Sequence, residues 1–497
     1  MTPFTDATPA QINVTLEAAY QAGLQYAQLP LARRAAFMHA IADGLENSGD
    51  ALLHTTMAET NLPEARLRGE RARTVFQLRS YAAACVAGHW LDARIDLANP
   101  NKVPAAPDIR KMLVPIGPVV VFGSSNFPYA YSTVGGDTAS ALAAGSAVVV
   151  KAHPGHPQTS EQVADIIQQA AVSCGIPEGI FGHLHGAGFE VGQALVKHPR
   201  TKAVGFTGSL PGGRALFDLA NQRPEPIPVF AEMGSVNPVY LLPQKLEQDA
   251  ETIATNYAAS ITLGVGQFCT NPGILVGIAG TDLDRFANAL ANEIGKIPAG
   301  AMLHGGIVKA YYEKRAAALA QQGISLLASG QEATTDKQAL ATIATVSGAT
   351  FLANPLLHHE VFGPWSLLVQ CADAEEMLQV ATRMEGQLTT TLMATEADLA
   401  SVPALRHAVA QKCGRIILNG VPTGVEVCHS MHHGGPYPAS TDSRFTSVGA
   451  DAIRRFARPL CYQNWPDHLL PPELQNANLL GIVRFVNGEP TRQPITL

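Results

Sequence analysis

Ile116-Gly117-Pro118-Val119-Val120-Val121-Phe122-Gly123-Ser124-Ser125-Asn126-Phe127-Pro128 marks a change of rhythm in this chain. Val119 to Phe122 is an apolar, largely β-branched run with no polar alternation, the pattern of a strand covered on both faces. From there short apolar runs alternate with helical stretches. A helix at about 133–144 leads to strand 147–150, and a helix at about 159–173 to a weaker strand near Phe181. A helix at about 189–198 leads to strand 203–206, and one at about 212–221 to strand 227–230. Apolar strands joined by single helices predict a parallel, doubly wound α/β sheet, in which ligands bind beyond the carboxyl ends of the strands.

Those ends read Gly123-Ser124-Ser125-Asn126-Phe127-Pro128, Lys151-Ala152-His153-Pro154, Phe206-Thr207-Gly208-Ser209 and Ala231-Glu232-Met233-Gly234. Each puts a polar side chain or a glycine where a bound cofactor would lie. A glycine-rich helix start such as Gly208-Ser209-Leu210-Pro211-Gly212-Gly213 can offer backbone N–H groups to a phosphate, although alone it reads equally as an ordinary turn. Lys151 in isolation is a solvated cation; beside a nucleotide it could hold ribose hydroxyls. Glu232 could be a surface residue after a strand, but Val229-Phe230-Ala231 and Met233-Gly234 flank it with apolar chain, a setting that raises a carboxyl pKa toward that of a general base.

Upstream, the first hundred residues read as helical. Thr8-Pro9 supplies an N-cap and first helical position, and Leu16, Ala19, Tyr20 and Leu24 recur at near-helical spacing. Similar stretches run from 31 to 45 and from 65 to 85, and the pattern breaks into Asn, Pro and Asp between Ile95 and Ile109, as in an exposed arm. Downstream of Gly234 a second α/β unit begins, with a helix at about 248–262 and candidate strands at 274–276, 366–369, 389–393 and 415–418. Between that helix and the first of these strands lies Leu263-Gly264-Val265-Gly266-Gln267-Phe268-Cys269-Thr270-Asn271-Pro272-Gly273. A cysteine between a glycine-rich approach and a Pro-Gly turn is open to a ligand; the alternative for a lone cysteine is a buried structural thiol. Two further loops carry chemistry-bearing residues, His358-His359-Glu360-Val361-Phe362-Gly363-Pro364 and Cys428-His429-Ser430-Met431-His432-His433-Gly434-Gly435. Neighbouring histidines point different ways and no carboxylate is spaced to complete a ligand set, so no metal is expected and the His-rich run reads as a loop at the mouth of a site.

Composition sets limits on all of this. The chain has 497 residues, 46% hydrophobic, with 44 glycines, enough for two to four domains with full cores. A net charge of −7 from 34 basic and 41 acidic residues, without a basic run, argues against nucleic acid and anionic membranes as partners. Seven scattered cysteines with no CxxC pair fit a reducing compartment. Met1-Thr2-Pro3-Phe4-Thr5-Asp6 lacks the basic start and apolar core of a signal peptide, and no apolar run reaches membrane-spanning length. The expected location is the cytoplasm.

In order along the chain, Pro115-Ile116-Gly117 with Asn126-Phe127-Pro128, Lys151, Phe206-Thr207-Gly208-Ser209, Glu232-Met233-Gly234, Gly266-Gln267-Phe268-Cys269 and Glu360-Val361-Phe362-Gly363-Pro364 resemble the motif series of the aldehyde dehydrogenase superfamily. The 231–238, 423–429 and 461–464 segments are most similar to its 2,5-dioxovalerate (α-ketoglutaric semialdehyde) dehydrogenase branch. Two departures stand out: Ser125 where tryptophan often precedes the asparagine, and Ser235-Val236 in place of a usual Gly-Lys. The resemblance implies Cys269 as nucleophile, Glu232 as the base that activates water, and Asn126 with the Cys269 backbone N–H as oxyanion donors. It also implies a cofactor site built from Lys151, His153, Phe206, Gly208, Ser209, Glu360 and Phe362, with Glu360 at the nicotinamide ribose and Phe362 beside the ring. Its reaction is oxidation of a small aldehyde to an acid through a thiohemiacetal and thioester on the cysteine.

No carboxylate follows Lys151 until Glu161, so a 2′-phosphate should be tolerated, and NADP is the expected cofactor with NAD as the alternative. The acid group of 2,5-dioxovalerate needs a cationic or N–H-rich pocket end, for which Arg79 and the loop near His429 are candidates beside Phe127. The charges around Arg79 read equally as a solvated helix face. A broad-range or fatty aldehyde dehydrogenase is the alternative substrate reading; a cysteine hydrolase with a His partner, or a non-catalytic member of the fold, is the alternative of another class. The chain is expected to divide into a Rossmann-like cofactor-binding domain (1–95 and 116–233), an α/β catalytic domain (234–470) and a small β arm with C-terminal tail (96–115 and 471–497). Through that arm a homodimer or homotetramer is expected.

Overall fold

The computed structural model describes residues 4–496. The two ends of the expected domain division, residues 1–3 and 497, lie outside that range. Helix Pro9–Tyr26 begins where Thr8-Pro9 predicts: Thr8 Oγ1 accepts from the Gln11 N–H, and the Gln11 side chain returns the bond to the Thr8 N–H. Helices Leu31–Glu46 and Glu64–Ala87 follow the expected periodicity, and Ala51–Thr60, which the sequence pattern did not single out, lies between them.

The first parallel sheet has the order Phe181–Leu184, Val148–Lys151, Val119–Phe122, Ala203–Thr207, Val229–Glu232. Val119, Val120, Val148, Val149 and Val150 are fully buried, as strands with both faces covered by helices must be. At roughly 1.5–3 kcal/mol for each buried valine, this run is a major driving force for the domain. Winding reverses at Val119–Phe122, which pairs with both Val148–Lys151 and Ala203–Thr207. A crevice therefore opens at the ends of these strands. The last strand runs from Val229 to Glu232 rather than from 227 to 230, because Pro228 has no N–H to give to the ladder. The shift makes Glu232 the terminal residue of its strand, as Lys151 is of Val148–Lys151, and the two are fixed by backbone pairing with Thr207 and Leu184.

The second sheet has seven strands, ordered Ser325–Ser329, Thr342–Ser347, Trp365–Cys371, Ile274–Ile278, Val239–Leu241, Gln387–Met393, Cys413–Leu418, all parallel except the first pair. The four strands expected here are present; Val239–Leu241, Ser325–Ser329 and Thr342–Ser347 were not expected, the first being only three residues long, the second largely exposed and the third interrupted by threonines. A third sheet forms the arm, ordered Ala457–Gln463, Ile109–Pro115, Arg94–Asp96, Arg484–Val486, Glu489–Thr491. Ala457–Gln463 pairs antiparallel with Ile109–Pro115, so residues expected at the end of the second unit belong to the arm sheet. Among the described residues no helix is long and apolar enough to cross a membrane.

Candidate functional site

Helix Pro243–Thr262 ends in a left-handed turn in which Gly264, Val265 and Gly266 have φ of 56°, 59° and 64°. Valine is rarely found there, and a strained, over-determined turn of this kind commonly supports a reactive group. Gly266 is required twice over, by its φ and because a Cβ would overlap the Gly363 carbonyl oxygen. The turn is clamped by buried amides. Gln267 Nε2 donates to the Gly264 carbonyl, Asn126 Nδ2 to the Gln267 carbonyl (3.1 Å), and Asn237 Nδ2 to the carbonyls of Cys269 and Asn271 (both 2.9 Å). Asn237 is held in turn by Ser235, and Gln387 Oε1 accepts from Ser235 Oγ and from the Val236 and Asn237 N–H groups. The Ser235 departure therefore feeds the scaffold of the cysteine turn. Gly266→Ala should destabilise the fold by at least about 2 kcal/mol, from left-handed strain plus the overlap. Gly69→Ala, in open space on helix Glu64–Ala87, should be neutral or slightly stabilising; thermal melts of the two variants check the contrast.

Cys269 Sγ lies 3.6 Å from His433 Nε2, and that nitrogen is 3.0 Å from Glu232 Oε1. Cys269, Glu232 and His433 form one compact triangle, with His433 and Glu232 buried. Ser447 Oγ donates to Glu232 Oε2 (2.9 Å), while Glu232 Oε1 has no well-aligned donor despite the nearby imidazole. Burial pushes the Glu232 carboxyl up, but His433, Ser447 and Cys269 together outweigh it and hold its pKa below the ordinary value. The expectation of a carboxyl raised toward neutrality is thus corrected: the apolar strand flanks are present, but polar partners from other segments dominate. The Cys269 thiol is pushed well above its usual range, first by burial and then by the Glu232 charge. Its proton has an acceptor at hand in the His433–Glu232 pair.

Two corners of this triangle, Cys269 and Glu232, line a chamber of about 890 Å³ together with Asn126, Phe127, Lys151, His153, Phe206, Gly208, Ser209, Glu360 and Phe362, and with Tyr131 and His304. Strand ends of the first sheet form one wall, the cysteine turn and the Glu360–Phe362 loop the other. Lys151 is buried, without a carboxylate at ion-pair distance among the described residues, and burial lowers its pKa. His153 accepts from the Gly155 N–H through Nδ1 and stacks near His156 (5.3 Å) and His304 (6.1 Å); burial keeps it neutral. Ser209 caps helix Leu210–Asn221 by accepting from the Gly212 N–H, so the positive end of that helix meets the chamber. Burial raises Glu360 to about 7. An unpaired buried ammonium, neutral imidazoles and a helix N-terminus in one long cleft fit the sugar and phosphate groups of a dinucleotide.

Arg79 and His429 are elsewhere. Arg79 pairs on the surface with Asp43 (2.9 Å) and Glu46 (2.6 Å), as its solvated-face alternative predicts, and His429 is exposed. Neither lines the chamber. The His-rich run does not converge: His429 is exposed, His432 half-buried, and His433 turns inward to Cys269. His433, Ser447 and Asn237 are the residues that sequence reasoning did not assign. Their signal was weak, a histidine run among small residues and an asparagine before a proline.

A model of the aldehyde dehydrogenase family matches residues 1–456. The chain is 50% identical to alpha-ketoglutaric semialdehyde dehydrogenase 2 of Azospirillum brasilense over 98% of its own length and 93% of the relative's. It is 45% identical to alpha-ketoglutaric semialdehyde dehydrogenase of Acinetobacter baylyi over 98% and 92%. Its fold is similar to a solved variant of Thermus thermophilus 1-pyrroline-5-carboxylate dehydrogenase, at a TM-score of 0.80 and 21% identity, covering 92% of this chain and 86% of the other.

Proposed function

The chain belongs to the aldehyde dehydrogenase family, and from that premise we propose that it oxidises 2,5-dioxovalerate to 2-oxoglutarate with NADP as the preferred cofactor. It is an oxidoreductase that converts an aldehyde to an acid with NAD(P). The observation that carries the catalytic reading is the contact of Cys269 Sγ with His433 beside Glu232, with Cys269 and Glu232 both lining the chamber. Two relatives at 50% and 45% identity over nearly the full chain, both named for the semialdehyde, support the substrate.

Cys269 adds to the aldehyde carbon as its proton passes to the His433–Glu232 pair, since a thiol raised by burial does not ionise unaided. The Asn126 amide, held against the Gln267 carbonyl by one N–H, keeps a second N–H for the resulting alkoxide, with the Cys269 backbone N–H as the other donor. Bound NAD(P) supplies the hydride acceptor that leaves a thioester on the sulfur. Once the pair has released the thiol proton to solvent, Glu232, again ionised at neutral pH, draws a proton from water with His433 alongside; the hydroxide adds to the thioester carbon and the thiolate leaves as the acid is released. A cysteine hydrolase would share the Cys-His contact but leaves the long chamber without a role.

Lys151, His153 and the helix start at Ser209 would hold the dinucleotide, and Glu360 and Phe362 its nicotinamide end. Cofactor preference follows from the strand end after Lys151. The first carboxylate after Lys151, Glu161, is taken by His185 (2.7 Å) and His183 (3.1 Å), and Asp6, whose charge acts on Lys151, is itself held by the Ala187 N–H (2.7 Å); the preference therefore rests on Lys151 and on the absence of a carboxylate between it and Glu161. Side-by-side titration should give NADP the higher kcat/KM by about tenfold or more, the scale of one charge-assisted contact; an NAD advantage would overturn the preference. Assembly through the arm is part of the same proposal, supported by exposed Val103, Leu469 and Leu479 on and around it. Rates on 2,5-dioxovalerate against a long-chain aldehyde test the substrate, and faster long-chain turnover would favour the broad-range reading.

A further inference from the structure

Beside the cysteine, on the side formed by residues 422–433, two arginines have only uncharged hydrogen-bond partners. Arg415, on strand Cys413–Leu418, donates to the carbonyls of Pro422 (3.0 Å) and Gly424 (3.1 Å), and its buried Nε has no partner. Arg73, on helix Glu64–Ala87, donates to Tyr131 Oη and to the Val425 carbonyl (both 3.3 Å). Gly424 and Val425 are consecutive, so helix and strand, 342 residues apart, bring two guanidiniums to one point of one loop.

That point adjoins the reactive centre. Tyr131, over which Arg73 lies at 5.3 Å, lines the chamber and packs 6.1 Å from the His433 ring. Gly414, next to Arg415, packs against His432 and Gly434, the neighbours of His433 in the chain. Glu70, on the same helix as Arg73, gives its carboxylate oxygen to the Tyr129 and Ala130 N–H groups. Both arginines are half-buried, so each keeps access to water and to a small ligand. Glu70 acts on Arg73 only through space, and among the described residues no carboxylate lies at ion-pair distance from either guanidinium; half-buried guanidiniums with spare N–H groups beside an apolar cluster call for an anion of fork geometry.

We propose that Arg73 and Arg415 bind the carboxylate of the aldehyde substrate, and that this anion site, in place of Arg79 and His429, sets the preference for a short acidic aldehyde. The inference rests on the 2,5-dioxovalerate reading. The two guanidiniums are not themselves among the chamber's lining residues; Arg73 meets the chamber through Tyr131, so an acid group at that end is stabilised by their charge, whereas a neutral aldehyde gains nothing from either arginine.

The test measures kcat/KM of the full-length parent, Arg415→Met, Arg73→Met and Arg415→Lys on 2,5-dioxovalerate and on pentanal. Each Met variant should lose about 10–100-fold on the acidic aldehyde, mostly in KM, the scale of a charge-assisted hydrogen bond. Pentanal should change less than about twofold, and Arg415→Lys should recover part of the loss by restoring charge without the fork. Equal loss on both aldehydes, no loss on either, or a lysine variant no better than methionine overturns the anion site. Failure of the substrate reading shows separately, as a parent enzyme that favours pentanal before any variant is made.

Discussion

Cys269→Ala is expected to abolish aldehyde oxidation while the protein still binds NAD(P) with unchanged affinity. The sulfur is the only protein atom in the proposed reaction that bonds to the substrate carbon, so its loss removes the covalent path and no neighbouring group can replace it. The proposed cofactor contacts, Lys151, His153 and the helix start at Ser209, do not touch the thiol, so the chamber should remain intact. Stopped-assay turnover at least about 10⁴-fold below the parent, with an unaltered cofactor titration by fluorescence, is the expected pair of results. Residual turnover within an order of magnitude of the parent would remove Cys269 from the chemistry.

The second large effect is at Glu232. Glu232→Gln keeps the shape of the strand end and the Ser447 contact but loses the base, so one equivalent of reduced cofactor should appear in a burst before turnover stalls. Removing a positioned base typically costs about 10²–10⁴-fold in the step that it serves, here release of the thioester. The same substitution has an opposite effect on the thiol. Glu232 is one of the causes that raise the Cys269 pKa, so its neutralisation lowers that pKa and increases the thiolate fraction at any given pH. Alkylation of Cys269 by iodoacetamide at neutral pH should therefore accelerate in the variant. Steady-state turnover equal to the parent would exclude the role of Glu232, and slower alkylation would contradict the charge argument.

Legibility in the sequence followed chemical locality. The Val119–Phe122 and Val148–Lys151 runs declare a sheet covered on both faces because every side chain is apolar, and Thr8-Pro9 declares a helix start because its capping bonds span three residues. Strand ends were readable to within two residues; the error at Ile227 to Glu232 came from Pro228, whose missing N–H delays pairing. Strands such as Val239–Leu241 and Ser325–Ser329 were not readable, since three residues carry no period and an exposed edge strand carries no apolar run.

The sequence by itself determined the two-sheet α/β architecture, the position of Cys269 after a glycine turn and the polar ends of the first sheet, since each is written in neighbouring residues. Tertiary structure alone decided that His433 stands between Cys269 and Glu232, that the Glu232 pKa falls rather than rises, and that Arg73 and Arg415, not Arg79, stand beside the reactive centre. The contacts behind these results join segments far apart in the chain, 164 residues for Cys269 and His433, 215 for Glu232 and Ser447 and 352 for Arg73 and Val425. Such distances are fixed by how helices and sheets pack, and a local pattern of residues carries no record of them.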